Sequence, residues 1–175
     1  IYAPSITDGV ATFETELPGV VAMGERIRTR LQRYPWLVWE EAGEVLAYAY
    51  AGRFRERAAY DWIAETSIYV HPDVQRRGIA RRLYGTLLEA MRLQGLTQAV
   101  GVITLPGTTS VTMHEAMGFQ PAGVWRQCGW KLGRGWDVGV WQKELQALAN
   151  PPPAVMPFSA LAKTPMLHAL LGQFP

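Results

Sequence analysis

The sequence predicts a single α/β domain. Amphipathic stretches with a helical period alternate with apolar, β-branched runs that fit strands, and this alternation continues along most of the chain. The chain has 175 residues, 49% of them hydrophobic, so it can bury one core. We expect this domain to span residues 1–149 and a proline-rich extension to occupy residues 150–175.

Composition excludes several classes of protein. The formal net charge of +2 gives little general attraction for nucleic acid, so anion binding must come from local clusters. Cys128 is the single cysteine, which rules out an intrachain disulfide and a cysteine metal cluster. No apolar run approaches the roughly 20 residues of a membrane span, and no signal peptide is evident. We therefore expect a cytoplasmic protein without metal, membrane or nucleic-acid partners.

The first half of the chain predicts a helix, a hairpin and a strand. Residues 23–34 place apolar and small side chains at helical spacing. Residues 34–54 contain two β-rich runs around Glu41-Ala42-Gly43, which predicts a hairpin. The aromatic and β-branched run 58–70 predicts one long strand, ended by His71-Pro72 because a residue before proline disfavours helical geometry.

The next elements are a helix, a strand and a shorter helix. Leu83, Leu87 and Met91 recur every four positions, and Gly95 supplies a C-terminal stop. Residues 98–105 form a short apolar run suited to a buried strand. Thr108 or Thr109 is then expected to cap a helix over residues 110–117, which Gly118 ends.

The last elements are a second hairpin and a tail. Two aromatic runs, residues 122–132 and 136–145, flank a glycine-rich turn at residues 133–135. Residues 150–158 are proline-rich, and residues 161–174 form either a short helix that docks on a neighbour or a frayed end.

The segment VHPDVQRRGIARRL, residues 70–83, concentrates positive charge between a strand and a helix. Glycine in such a turn exposes backbone N–H groups at the helix N-terminus, where the macrodipole favours a phosphate. The segment lacks the Gly-Lys-Ser/Thr ending of a P-loop and the G-x-G-x-x-G pattern of a dinucleotide site. The alternative is that these arginines lie in solvent and pair with acids such as Asp73 and Glu89.

The run Q-R-R-G-I-A, residues 75–80, resembles the acetyl-CoA signature Q/R-x-x-G-x-G/A of the GCN5-related N-acetyltransferases (GNAT). RYPWLV, AYAG, AYDWIAETSIYV, GVITLPGTTSVTMHEAMGF and GWDVGVWQ are similar, in the same order, to the phosphinothricin N-acetyltransferase branch of that family. The resemblance covers residues 13–145. It implies a homodimer and an N-terminal strand that this segment, which opens without a methionine, mostly lacks.

The family resemblance implies a mixed, mostly antiparallel sheet that splays at its centre, with helices on both faces and acetyl-CoA as co-substrate in the split. The residues that match the family's cofactor positions are Tyr69, Val70, Gln75, Arg76, Arg77, Gly78, Ile79, Ala80, Arg81 and Ser110. Gly107 departs from the pattern, because the family often has asparagine there.

Glu65 and His114 are the predicted catalytic residues. Glu65 stands in a β-patterned run, where a carboxylate is costly unless it is satisfied or exposed. Strand alternation places Asp61, Ile63, Glu65, Ser67 and Tyr69 on one face. The resemblance implies that Glu65 is the general base and that His114 assists proton transfer to the thiolate of CoA. The alternatives are a carboxylate paired with an arginine and a purely structural histidine.

Acceptor binding is expected from Arg55, Arg57 and Tyr60, and from Phe13, which matches an aromatic residue that closes the same pocket in the family. Guanidinium groups suit a carboxylate or phosphinate. The alternative is an exposed basic loop. Direct acetyl transfer needs no covalent intermediate, so Cys128 is expected to be a small apolar filler in a strand.

The sequence thus predicts transfer of acetyl to the α-amino group of a small acidic amino acid analogue such as phosphinothricin or methionine sulfoximine or sulfone. A broader amino-acid or amine acceptor range stays open. So does a non-catalytic CoA-binding module. Nucleic-acid binding through the arginine helix is disfavoured by the absence of a broad basic face.

Overall fold

The computed structural model describes residues 1–173. The strands are β1 Trp36–Glu41, β2 Glu44–Arg53, β3 Ile63–Val70, β4 Gln98–Thr104, β5 Gln120–Lys131 and β6 Arg134–Glu144. The α-helices are α1 Ala3–Thr7, α2 Val20–Leu31, α3 Ile79–Gln94, α4 Thr108–Ala116, α5 Phe158–Leu161 and α6 Pro165–Leu171. No helix in this described part is both long and apolar enough to span a membrane.

The strands form one six-stranded sheet in the order β1-β2-β3-β4-β6-β5. Only β3 and β4 run parallel, and every other neighbouring pair is antiparallel. On β2, Ala47, Ala49 and Ala51 belong to the core that α3 covers, whereas Tyr50 stacks on Trp36 and under Arg30 of α2. Because side chains alternate along a strand, α3 and α2 cover opposite faces. The prediction of a mixed sheet with helices on both faces is confirmed.

The sheet opens at its centre. The parallel ladder between β3 and β4 ends where Thr66 faces Gly101. Beyond that rung, residues 67–70 pair only with β2, and residues 102–104 pair only with β6. The two strands therefore diverge and leave a cleft between them, which is the predicted splay.

Most of the predicted turns form at residues in the left-handed region. Ala42 and Gly43 join β1 to β2, and Gly133 follows Leu132 in the β5–β6 turn. Gly95, with φ of 93°, caps the C-terminal end of α3. Both hairpins and the long helix are confirmed. Glycine suits these turns because it adopts positive φ at no steric cost.

Two predictions about element ends were wrong. The strand predicted over residues 58–70 begins only at Ile63, because residues 58–60 form a 3-10 helix and Asp61 pairs with Arg33 at 2.9 Å. Neither Thr108 nor Thr109 caps α4. Gly107 occupies the N-cap at φ 39°, where a Cβ would lie 2.5 Å from the Thr104 carbonyl oxygen. This backbone has no room for a capping side chain.

The tail packs on the same core as the sheet. Phe158, Leu161 and Leu167 are buried within the cluster that contains the apolar face of α3. The Gln94 side-chain amide donates to the carbonyl oxygens of Arg33 at 2.8 Å and Met156 at 2.7 Å. The tail thus covers the end of α3. Phe174, which closes the run predicted to be helical or frayed, lies outside the described residues.

Candidate active site

A cavity of about 230 Å³ occupies the split between β3 and β4. Residues 66–69 and 102–104 line its two sides. The loop at residues 105–107 and the α4 residues Ser110 and His114 close one end, and Val10 and Ala11 contribute to its wall. We call it the split cavity. It exists because the two strands stop pairing at this point.

A second cavity of about 210 Å³ adjoins the first and contains Glu65. The two share Ala11, Ser67, Tyr69, Val102 and Thr104 as lining residues. The second cavity, here called the Glu65 chamber, is also lined by Tyr2, Thr12, Phe13, Glu14, Tyr50 and Val138. A molecule bound in the split cavity would therefore lie next to a second molecule bound in the Glu65 chamber.

Glu65 faces this chamber as strand alternation predicts. Glu65, Ser67 and Tyr69 all line it, whereas Asp61 lies before the strand and is bonded elsewhere. Within residues 1–173, Glu65 makes no ion pair, so the paired-carboxylate alternative is not what the structure shows. Burial raises the pKa of Glu65, and the positive charges of Arg30 and Arg55 oppose that rise. The raised pKa makes this carboxylate a stronger base than an exposed glutamate.

His114 lies on the opposite side of the split, inside a hydrogen-bonded chain. Its Nδ1 donates to the Ser110 carbonyl oxygen at 2.8 Å, and its Nε2 lies 3.0 Å from the Tyr84 hydroxyl. The Tyr84 hydroxyl lies 2.6 Å from Thr66 Oγ1, which donates to the Val100 carbonyl oxygen at 2.9 Å. Thr66 is the last paired residue of β3, so the chain joins α4 and α3 to the point where the sheet parts.

The hydrogen-bonded chain of Ser110, His114, Tyr84, Thr66 and Val100 lacks one proton when the imidazole is neutral. Both ends are carbonyl oxygens, which only accept, so they use the Nδ1–H of His114 and the hydroxyl hydrogen of Thr66. The Tyr84 hydrogen alone then remains for two contacts, to His114 and to Thr66. Burial lowers the pKa of His114, which favours the neutral ring at pH 7. The wall of the split can thus accept one proton, at the cost of burying a cation.

Gly101 on β4 makes room for the histidine. A Cβ at this position would lie 2.6 Å from Cδ2 and Nε2 of His114. Glycine therefore allows the imidazole to lie directly against the strand. His114 lines the split cavity with both ring nitrogens already engaged by Ser110 and Tyr84.

The turn before α3 has the geometry of an anion site. Arg76 and Gly78 adopt positive φ of 62° and 81°. Nothing in the described chain accepts a hydrogen bond from the amides of residues 76–81. The macrodipole of the 16-residue helix α3 also favours an anion at this end. The residues present therefore fit a diphosphate.

The arginines of this turn are not paired as the alternative interpretation expected. Arg77 bonds Glu41 of β1 at 2.9 Å, and Glu89 pairs with Arg92. Asp73 instead lies near His71. Arg76, Arg81 and Arg82 are exposed and make no ion pair within the described residues. They remain available to a bound anion.

The predicted acceptor residues are only partly brought together. Phe13 lines the Glu65 chamber and packs on Gly129 of β5. Arg55 is exposed, with its guanidinium 4.5 Å from the centre of the Phe54 ring. Arg57 and Tyr60 are exposed and lie outside the chamber lining. Among the predicted acceptor residues, Phe13 alone lines the chamber directly.

Cys128 is not a buried filler, so that prediction was wrong. The register of β5 against β6 breaks between Trp125 and Gly129, and Gln127 adopts a positive φ of 49°. β5 is an edge strand whose residues 120–128 are all exposed, and Cys128 is exposed with them.

Sequence reasoning missed Arg30, Tyr50 and Tyr84. Tyr84 appeared in the sequence as part of the apolar face of α3, and its hydroxyl bonds were not foreseeable. Arg30 is one of several arginines on α2, and helical spacing alone does not distinguish it. Tyr50 alternates with buried alanines on β2, a weak signal that it faces a different environment.

Comparison with known proteins agrees with this geometry. Residues 10–119 match the model of the acetyltransferase (GNAT) family. A phosphinothricin N-acetyltransferase of Streptomyces viridochromogenes is 46% identical over 71% of this chain and 68% of its own length. An L-methionine sulfoximine/L-methionine sulfone acetyltransferase of Salmonella typhimurium is 34% identical over 70% of this chain and 71% of its own length.

A solved structure is also similar. The phosphinothricin acetyltransferase of Sinorhizobium meliloti, crystallised in complex with AcCoA, superposes with a TM-score of 0.79 at 36% sequence identity. The alignment covers 82% of this chain and 79% of the other. The chain belongs to the acetyltransferase (GNAT) family, in its phosphinothricin N-acetyltransferase branch. It is therefore an acetyl-CoA-dependent N-acetyltransferase, and the unpaired amides of residues 76–81 fit the diphosphate of that co-substrate.

We predict that Gly78→Ala weakens CoA binding at least about tenfold, because a Cβ would enter the space beside the free amides. Gly133→Ala is the matched control, since Gly78 and Gly133 have φ of 81° and 75° and open space around the site of a Cβ. Both changes are expected to cost about 1 kcal/mol of stability. Calorimetric titration with CoA and thermal unfolding measure the two effects. Equal CoA affinity in the two variants would contradict an anion site at this turn.

Proposed function

We propose that this enzyme transfers acetyl from acetyl-CoA to the α-amino group of a small acidic amino acid analogue, of the type of phosphinothricin or methionine sulfoximine or sulfone. The observation that carries the proposal is the carboxylate of Glu65, which has no ion-pair partner among residues 1–173 and lies in a small chamber that adjoins the split cavity. Relatives named for such acceptors support the same class. Arg30 and Arg55 add positive charge around the chamber, which suits an anionic acceptor.

Glu65 is proposed as the general base. An amino acid carries an ammonium group at neutral pH, and it becomes a nucleophile only after losing a proton. Glu65 accepts that proton, either directly or through one water. Its raised pKa makes it a stronger base than an exposed glutamate, while Arg30 and Arg55 keep enough of it ionised to act.

The remaining residues would hold the two substrates in place. Acetyl-CoA supplies an activated acetyl group on sulfur. Residues 75–81 would bind its diphosphate, and Tyr69, Val70 and Ser110 would line its path into the split. Phe13, Arg55, Arg57 and Tyr60 would surround the acceptor, with Phe13 as part of the chamber wall. Proximity of this kind lowers the barrier by replacing a bimolecular encounter with a fixed geometry.

His114 is proposed as a second participant in proton transfer. Its nitrogens are engaged by Ser110 and Tyr84, so a proton for the departing thiolate must come through the Tyr84–Thr66 hydroxyls or after one of these bonds opens. Thr66 lines the split cavity, which makes the hydroxyl route short. A neutral chain lacks one proton, so it would first take up the second proton that the amino group loses and then pass it to the thiolate. The first proton stays with Glu65 until solvent removes it.

We predict that Glu65→Gln lowers kcat/KM by roughly 10²-fold or more, the usual contribution of a general base. In the unaltered enzyme kcat/KM falls as pH drops through the raised pKa of Glu65, because the protonated form cannot accept a proton. The variant is expected to lose that acidic limb. Glu44→Gln, at the exposed first residue of β2, is the control. Near-normal turnover of Glu65→Gln across pH would rule out this role.

The acceptor class is tested by a thiol-release screen with acetyl-CoA. The acceptors are phosphinothricin, methionine sulfoximine, methionine sulfone, ordinary amino acids and polyamines. We expect the first three to give the highest kcat/KM, because each carries an α-carboxylate and, two methylene groups away, an acidic or strongly polar group, and both match the local positive charge. A flat profile would support the broader acceptor range instead.

We also propose that the enzyme is a homodimer. β5 is an edge strand of the sheet, and it exposes Val124, Trp125 and Trp130, with Trp130 73% exposed. Apolar side chains on a free edge favour association. Light scattering after gel filtration is expected to give twice the chain mass of 19.5 kDa, and Trp130→Lys is expected to shift the protein toward the monomer. A monomer at micromolar concentration would contradict the proposal.

A further inference from the structure

Arg30 differs from the other arginines of α2 in having no acidic partner among residues 1–173. It lies in the last turn of the helix and is partly buried. The arginines on either side of it are all satisfied, and their ion pairs are Arg26–Glu14, Arg28–Glu25 and Arg33–Asp61. Arg30 is partly buried and, within residues 1–173, lacks the acidic partner that each of these neighbouring arginines has, so its position needs another explanation.

The guanidinium of Arg30 is held on the sheet beside the chamber, outside its lining but against Tyr50, which lines it. It lies 4.5 Å from the centre of the Tyr50 ring, whose other face stacks on Trp36. It also occupies the space that a side chain at position 52 would fill, so Gly52 allows it to rest on the strand itself. The Tyr50 ring favours a cation above its face and fixes the planar group in one orientation.

This position is next to Glu65. In the β2–β3 ladder, Gly52 is the direct cross-strand partner of Glu65, and directly paired residues project from the same face of the sheet. Arg30 and Glu65 nevertheless form no ion pair, so the guanidinium nitrogens lie more than 4.0 Å from the carboxylate oxygens. Opposite charges thus stand on one face, close enough to interact but more than 4.0 Å apart.

We propose that Arg30 binds the α-carboxylate of the amino acid acceptor while Glu65 meets its α-amino group. This inference rests on the proposed acceptor class. An α-amino acid carries its ammonium and carboxylate on one carbon atom, so the groups that bind them must also be close neighbours of opposite charge. A guanidinium fork suits bidentate contact with a carboxylate. The acceptor's own charge pair fills the gap that the protein leaves between Arg30 and Glu65.

Arg55 is the rival cation, and its surroundings suit a different part of the acceptor. It is exposed and lies 5.9 Å from the centre of the Trp125 ring on β5. The positive charge of Arg30 also lowers the pKa of Glu65 more than that of Arg55 does. Arg30 is therefore the cation for the α-carboxylate, and Arg55 lies where the side-chain acid of a longer acceptor can reach it.

The test compares two acceptors that differ only in the carboxylate, L-methionine sulfone and 3-(methylsulfonyl)propylamine. We expect Arg30→Gln to lower kcat/KM for the amino acid about 100-fold, mainly through KM, and to change the value for the amine less than about threefold. Arg30→Lys keeps the charge without the fork and is expected to retain an intermediate value. Arg28→Gln is the control, because Arg28 pairs with Glu25 in solvent. Thermal unfolding and CoA affinity confirm that each variant is folded.

The outcomes separate this inference from the proposed function. If Arg30→Gln reduces turnover of both acceptors equally, Arg30 acts only by adjusting the pKa of Glu65, and carboxylate binding is refuted. The acidic limb would then move to higher pH, since removing a positive charge raises that pKa further. No change with either acceptor refutes it as well. If the unaltered enzyme acetylates amines but no amino acid, the proposed acceptor class itself is wrong.

Discussion

The site depends on the loss of pairing between β3 and β4 beyond Thr66 and Gly101. Parallel strands inside a sheet normally bond along their length, and ending that ladder in the interior frees backbone groups that water or a ligand must satisfy. The split holds one cavity, and the Glu65 chamber adjoins it. The last rung is stabilised from one face by the hydroxyl of Thr66, which donates to the Val100 carbonyl oxygen and contacts Tyr84. The opening is therefore built on a rigid, hydrogen-bonded end.

The two faces of the sheet carry different chemistry at this opening. On the α3 face, Tyr84, His114 and Thr66 form a buried hydrogen-bonded chain in which burial disfavours the imidazolium. On the α2 face, Glu65 and Arg30 are only partly buried and stand close without pairing. A side-chain period of two along β3 explains this division, since Glu65 and Thr66 are adjacent in sequence and project to opposite faces.

Several elements were readable from short stretches of sequence because their causes are local. Gly43, Gly95 and Gly133 all take positive φ, and glycine is the residue that does so without strain. The glycine turn before α3 exposes amides whatever the rest of the fold does, so these free amides were also predictable. The cap of α4 was not, because the exclusion of a Cβ at Gly107 arises from Thr104 and Ile103, which a helix-capping rule does not consider.

The sequence by itself determined the α/β class, both hairpins, the long amphipathic helix and the face on which Glu65 lies, because each follows from periodicity or from backbone freedom within a few residues. Only the tertiary structure decided which side chains meet at the split. Arg30 and Glu65 are 35 positions apart in the sequence, and they become neighbours because Gly52 and Glu65 pair across strands. Tyr84 and His114 likewise meet because α3 and α4 pack on one face. Contacts of this range depend on strand register and helix packing, which local sequence patterns do not encode.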